Sequence, residues 1–450
     1  MLQNNPTFQK LAAQAKKDVY TIPLELYRLY NVKRGLRNED GTGVLVGLTN
    51  IGAVHGYIVS EGEKEAVPGQ LFYRGIDVQD IVNACIKEDR HGFEEIIYLL
   101  LFGRLPKQEE LDEFTKLLIS LRSLPENFTE DMILKAPSKS IMNKLARCVL
   151  ASYSYDDNPD DTSFENVLRQ VIELIARFPA MVAYSYQAYR HYYHKESLVI
   201  HPPSDTLDTA CNFLQMIRSD RCYSKLEADT LDLLLILHAE HGGGNNSAFA
   251  THVIASTGTD TYSAIAAAVG SLKGPKHGGA NERVMSMMED IKRNVKDWSN
   301  EKEVADYIVK ILRKEAFDRS GLVYGMGHAV YTLSDPRAVM LKEKARQLAK
   351  DKNMEEEFHL YELIEKLTPG LFKEVKNDSK IICANVDFYS GFVYKMLNMP
   401  EELYTPLFAI SRIAGWSAHL LEEIVAGQRI MRPAYKSIAK KSEYVNIKDR

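Results

Sequence analysis

The chain is 450 residues long, too many for one small domain, and at roughly 150 residues per domain the length suggests about three. Glycine (26) and proline (16) are scarce, which disfavours turn-dense all-β, collagen-like and low-complexity classes; 45% hydrophobic and 26% charged residues make an ordinary globular composition that can bury a sizeable core. A net charge of −5 supplies no general basic field for nucleic acid or an anionic membrane, so an anionic substrate must be met by local arginines.

The first twenty residues contain no arginine and no signal-peptide apolar core, so neither a secretory nor a mitochondrial address is readable and a cytoplasmic location is expected. Between Thr42 and Gly75, Val44, Val46, Tyr57, Ile58, Val59, Leu71, Phe72 and Tyr73 fall in short β-favouring clusters broken by Gly, Glu and Pro68-Gly69, which predicts a small strand-and-turn region. From Asp77 onward the apolar spacing is helical. Val304, Tyr307, Ile308, Ile311 and Leu312 make one such face; Leu360, Leu363, Ile364 and Leu367 make another, with Pro369-Gly370 as its expected end. Apolar runs such as Ile96 to Phe102 and Leu233 to Leu237 fall far short of the roughly 18 residues of a membrane span. Charge clusters such as Glu355 to Glu357 and Lys440-Lys441 read as solvated helix faces. Cys85, Cys148, Cys211, Cys222 and Cys383 are an odd number without a C-x-x-C pair, which argues against a disulfide framework or a cysteine zinc site. No repeat, heptad seam or linker marks a domain boundary.

Three segments of the second half carry the chemistry-bearing residues. In LHAEHGGGNNS (Leu237 to Ser247), an apolar run breaks at His241 into three glycines, and a further helix is predicted to begin near Asn245 or Asn246. In GPKHGGANERV (Gly274 to Val284), His277 sits in a gap between helices, with Asn281 a candidate cap for the next. A histidine beside a helix N-terminus feels the positive dipole end, which favours neutral imidazole able to polarise a carbonyl. In GMGHAVYTLSDPRAV (Gly325 to Val339), Asp335-Pro336 is a helix start, two glycines flank the approach to His328, and Arg337 stands in the first turn, where it does not serve the helix dipole.

Rival motifs fail. His238-Ala239-Glu240 matches the first half of a zinc-deaminase signature, but P-C-x-x-C is absent. His238 and His241 with His252 lack an H-E-x-x-H pattern, and the glycines form neither phosphate-loop motif. No metal is expected.

Together, H-G-G-G-N at His241 to Asn245, G-P-x-H-G-G-A-N at Gly274 to Asn281, G-x-G-H-A-V with D-P-R at Gly325 to Arg337, and NVDFYSG at Asn385 to Gly391 resemble the citrate synthase family in order and spacing. LFYRG at Leu71 to Gly75 and the stretches around Arg412 and Arg432 extend the likeness over most of the chain. The resemblance implies a mainly α, two-domain helical fold with a small N-terminal strand region. Its large domain would comprise 1–280 plus 386–450, and its small domain 281–385. It implies condensation of acetyl-CoA with oxaloacetate and hydrolysis of citryl-CoA, with no cofactor, acetyl-CoA being a substrate. It assigns the catalytic roles to His277, His328 and Asp387. Oxaloacetate would be held by His241, Arg337, Arg412 and Arg432, the last reaching across a homodimer interface. Val323, Gly325, Gly327 and Asn385 would lie along CoA. The alternatives are a 2-methylcitrate synthase using propionyl-CoA and a non-catalytic dicarboxylate-binding relative. Two positions depart from the family pattern: Thr332 replaces a frequent basic residue, and Met326 an aromatic or small one.

Overall fold

The computed structural model describes residues 5–7, 9–10, 22–38, 42–60, 63–328, 330–378, 380–427 and 429–450. It divides into two compact units, one of residues 1–48 with 431–450 and one of residues 49–430. The first carries a short exposed helix, Leu24–Leu29, and an isolated bridge between Arg37 and Gly43. The Lys436 ammonium lies 5.7 Å from the Tyr30 ring centre. Val44 and Val46 lie outside any strand, and Val46 is exposed.

The larger unit begins with the predicted strand region. Gly52–Ser60 and Glu63–Tyr73 pair antiparallel, and Ile76–Asp77 adds a short third strand. Pro68-Gly69 does not break the second strand as expected. The register instead shifts between His55, opposite Gln70, and Tyr57, opposite Ala66. The extra residues bulge out of the ladder, which is where a proline without an N–H can sit inside a strand. Asp77 then caps the helix Val78–Lys87 by accepting from Gln79 N.

The rest is helical. Tyr404–Ala426 is buried around nearly its whole circumference and packs against Phe93–Phe102, Ile141–Ser152, Phe164–His194, Lys225–His238, Asn246–Ala255 and Thr261–Leu272. A helix apolar on all sides is the centre of a large core. In a second group, Ala280–Asn294 and Pro336–Asp351 pack on Val386–Met396, Glu355–Lys376 meets it through Phe358 and Tyr361, and Glu301–Leu312 packs on Glu355–Lys376. In it Val304, Tyr307, Ile308, Ile311 and Leu312 are all buried, as their spacing predicts.

Two expectations are corrected in this second group. The helix carrying Leu360 does not end at Pro369-Gly370 but runs on to Lys376, because Leu371, Phe372 and Val375 continue its apolar face against the core. Tertiary packing outweighs the loss of one ladder hydrogen bond at a proline. Glu357 is not a solvated charge either: it is buried, and Lys292 and Lys395 donate to its carboxylate at 2.8 Å. Lys440 and Lys441 are exposed but lie outside any helix. None of the five cysteines forms a disulfide.

Candidate active site

Helix ends bring the predicted residues together. At the close of Lys225–His238 the chain reaches His241 through Ala239 and Glu240. Gly415 on the central helix lets that segment approach, since a Cβ there would lie 2.5 Å from the Ala239 carbonyl. One turn earlier on the same helix is Arg412, 1% exposed, whose Nε donates to the His238 carbonyl at 2.5 Å. Its Nη1 is buried without a protein partner, as is His241 Nε2. Burial lowers the Arg412 pKa to about 10, still high enough to keep the guanidinium charged at neutral pH. An unpaired buried cation and an unpaired buried ring nitrogen are costly unless a ligand supplies the partners.

Asn245 caps the next helix, as predicted, by accepting from Ser247 N. Ser247 was not singled out in the sequence, yet it organises His277. Its Oγ lies 3.1 Å from His277 Nε2, accepts from Trp416 Nε1 at 3.0 Å, and reaches Asn245 Oδ1 at 2.9 Å. The single serine proton can go to Asn245 or to His277. When it goes to His277 Nε2, the neutral ring carries its own proton on Nδ1 and has that N–H free to donate. Burial, with help from the Arg412 charge, lowers the His277 pKa to about 4. Burial and a nearby cation thus both favour the neutral state expected from the sequence. Asn281 is not a cap: the helix begins at Ala280 with Gly279 ahead of it, and Asn281 is buried in its first turn.

The His328 segment rests on the strand hairpin. Thr332 Oγ1 donates to the Gly56 carbonyl at 2.9 Å, and Gly69 N donates to Ser334 Oγ at 3.2 Å. Thr332, the position that departs from the family pattern, is thus an anchor. His328 Nδ1 accepts from the N–H groups of Val330 and Tyr331, both at 3.0 Å, which fixes the neutral tautomer with its proton on Nε2. Burial, then Arg337, lowers its pKa to about 4. Tyr331 stacks on this ring at 4.6 Å, and His241 meets it edge-on at 5.3 Å.

Asp335 caps Pro336–Asp351 as predicted and also grips Arg337, accepting from Nε at 3.0 Å and Nη2 at 2.7 Å. Burial works against the Arg337 charge, but Asp335 together with Tyr331 and Asp387 overcomes it and keeps the guanidinium protonated. The arginine that does nothing for its own helix is therefore a buried cation, 4% exposed. Asp335 also accepts from Val386 N at 3.2 Å, tying the start of Val386–Met396 to the same place.

Asn385 completes the frame. It caps that helix at Asp387 N, its N–H donates to Gly325 O, and its Nδ2 donates to Gly327 O. Gly327 N donates to Cys383 O at 2.7 Å, and Met326 bridges Ala384. Gly325 has φ +79° and lies so close to Phe388 that a Cβ would sit 2.8 Å away, so a larger residue fits neither the backbone nor the space. Val323 is buried at the start of this turn. Asp387 follows directly; burial raises its carboxyl to about 6 against the lowering effect of Arg337. The Arg412 charge acts on His277, His241 and Asp387, and the Arg337 charge on His328, His241 and Asp387, so one site holds all six. Arg432 belongs to the other unit and is exposed there.

Residues 40–434 match the family described as citrate synthase, C-terminal domain. The chain belongs to the citrate synthase family. A citrate synthase of Haloferax volcanii is 34% identical over 390 residues, covering 84% of this chain and 93% of its own. A 2-methylcitrate synthase of Corynebacterium glutamicum is likewise 34% identical, over 84% of this chain and 92% of its own. The solved citrate synthase of Thermoplasma acidophilum, a ternary complex with carboxymethyl coenzyme A and oxaloacetate, superimposes with a TM-score of 0.75 at 26% identity, covering 93% of this chain and 99% of that one. The chain is accordingly an acyltransferase of the citrate synthase type, and the mainly helical fold is the family's. Among the described residues no helix is long and apolar enough to cross a membrane.

Proposed function

We propose that this member of the family condenses acetyl-CoA with oxaloacetate and hydrolyses citryl-CoA to citrate and CoA. The observation that carries the reading is geometric: two backbone N–H groups hold His328 with Nε2 free, Ser247 holds His277 Nε2, and buried Arg412 Nη1 and His241 Nε2 have no protein partner. Asp387 takes a methyl proton from the thioester while His277 donates to the thioester oxygen, so that an enol forms where a solution carboxylate could not make one. A fixed donor in a site closed to water typically contributes about 3 kcal/mol to such a step. The enol carbon attacks the ketone carbon of oxaloacetate. His328 Nε2–H polarises that carbonyl and passes its proton to the developing alkoxide. Water then attacks the thioester carbonyl and the CoA thiol leaves. Arg337, Arg412 and His241 hold the carboxylates of oxaloacetate, the unpaired Arg412 Nη1 and His241 Nε2 being supplied with acceptors by the ligand. Val323, Gly325, Gly327 and Asn385 line the CoA path, and no cofactor takes part. Five cysteines without a disulfide fit a reducing, cytoplasmic setting.

The test is CoA thiol release with oxaloacetate and either acetyl-CoA or propionyl-CoA; the proposal requires a higher kcat/KM for acetyl-CoA. Relatives named 2-methylcitrate synthase favour the second reading, and a reversed preference would establish it. One methylene is worth only about 1–3 kcal/mol in an apolar pocket. No turnover with either thioester would leave the non-catalytic dicarboxylate binder.

A pH profile tests the base. Asp387 must be ionised to accept a proton, so kcat/KM rises with pH through about 6 and levels above it, while His277 and His328 stay neutral throughout that range. An ascending limb below pH 5 would contradict the assignment.

The proposed homodimer, with Arg432 completing the partner's site, predicts complementation. Arg432→Ala and Asp387→Asn chains are each nearly inactive alone; mixed and reassembled at random, they recover about a quarter of wild-type activity, because one of two sites in each mixed dimer is whole. Recovery of nothing would mean that Arg432 does not act across an interface.

A further inference from the structure

Behind the site, away from the residues given roles above, two histidines face one another in a buried acidic setting. His419, on the central helix, is fully buried, and its Nε2 lies 3.1 Å from Glu240 Oε1. His252, on Asn246–Ala255, has its Nδ1 2.7 Å from Glu423 Oε2. Each ring thus has a carboxylate behind its far nitrogen, an arrangement that puts the far N–H toward the carboxylate and turns the other nitrogen's lone pair inward. Those inward nitrogens, His252 Nε2 and His419 Nδ1, are 3.0 Å apart. Glu422 stands one turn from His419 on the same helix face, its Oε2 3.8 Å from His419 Nδ1 and buried with no hydrogen-bond partner, while its Oε1 accepts from Asn50 N.

We infer that His252 Nε2, His419 Nδ1 and Glu422 Oε2 form a binding site for a divalent ion of the zinc and cobalt class. Two imidazoles and one carboxylate are the borderline donor set these ions take, and carboxylates behind ligating histidines are the usual outer support that orients the rings. A cation between His252 Nε2, His419 Nδ1 and Glu422 Oε2 would engage all three atoms at once. Three carboxylates, Glu240, Glu422 and Glu423, surround the two rings, so the charge balance accommodates a divalent ion. A second cluster among the described residues, His91, Asp208 and Cys211, has both nitrogens of His91 already facing carboxylates, at Asp208 and Asp229. The site lies under Gly243, whose Cβ position is 3.3 Å from His419 Cε1, so an ion there would brace the glycine turn that follows His241.

The test uses the purified full chain, free of any histidine tag and stripped with a chelator. Zn²⁺ is titrated against a chromophoric competitor, Co²⁺ is added for its visible absorption bands, and bound metal is counted by elemental analysis. The expected result is one ion per chain at micromolar affinity or better, Co²⁺ bands of a four- or five-coordinate site, and a Tm raised by Zn²⁺. Glu422→Gln and, separately, His252→Gln should weaken binding at least tenfold while each still unfolds cooperatively without metal. Absence of stoichiometric binding overturns the inference, and so does binding that both variants leave unchanged.

Discussion

Asp387→Asn is expected to lower kcat for CoA release by roughly 10²–10⁴-fold with little change in KM for oxaloacetate, since asparagine keeps the shape of the carboxyl but cannot accept the methyl proton. The same substitution should raise stability at neutral pH. Burial lifts the Asp387 pKa from 3.8 to about 6, so the folded protein disfavours the ionised form relative to the unfolded chain. That penalty is absent below the unfolded value, grows as pH rises, and is fully present above about 6. Asparagine removes it, and Tm at pH 7 should rise while Tm at pH 4 changes little. A variant that loses activity while gaining stability cannot be explained by misfolding. A rate within tenfold of wild type would end the assignment of Asp387 as the base.

Arg412→Met should abolish the response to oxaloacetate. The guanidinium gives Nε to the His238 carbonyl and has a buried Nη1 with no partner, so in the empty site it is a desolvated charge that waits for a carboxylate. Removing one member of a buried charge pair typically costs about 2–5 kcal/mol of binding, at least a thirtyfold rise in the dissociation constant. The empty protein should lose less than the bound one, because methionine fills similar space and removes a charge that burial disfavours, although the His238 carbonyl loses its donor. Thermal unfolding with and without oxaloacetate separates the two effects: wild type gains several degrees on adding ligand, and the variant gains none. A variant that still responds at the wild-type ligand concentration would show that Arg412 does not hold the substrate.

The sequence made the helix ends legible and left the interior of the site dark. Asp335-Pro336 and Asn245 announce helix starts through local chemistry, and both cap as their residue types require. His241, His277, His328 and Asp387 stand in turns or first turns, where glycine and capping signals are strong. Ser247, Trp416 and Tyr331 gave no such signal, since their importance comes from partners far along the chain: Trp416 meets Ser247 across 169 positions. Asp335 was visible as a cap but not as the counter-ion of Arg337, because a bidentate pair two residues apart depends on how the helix is buried. Pro369 misled for the related reason that a local breaker says nothing of the apolar face that continues beyond it. Glu240 and His419 could not be paired by any pattern in the sequence.

The anchoring of the His328 loop on the strand hairpin bears on how the protein is made. Thr332 and Gly56 are 276 positions apart, and Ser334 and Gly69 are 265 apart, while Asp387 and Arg412 lie later still. During synthesis the hairpin emerges first and must wait, with its receiving surface uncovered, for more than half of the remaining chain before its partner loop exists. A ribosome stalled just before Arg412 therefore carries a chain that already contains the hairpin and its partner loop but still lacks one of the two buried arginines on which the proposed substrate site depends.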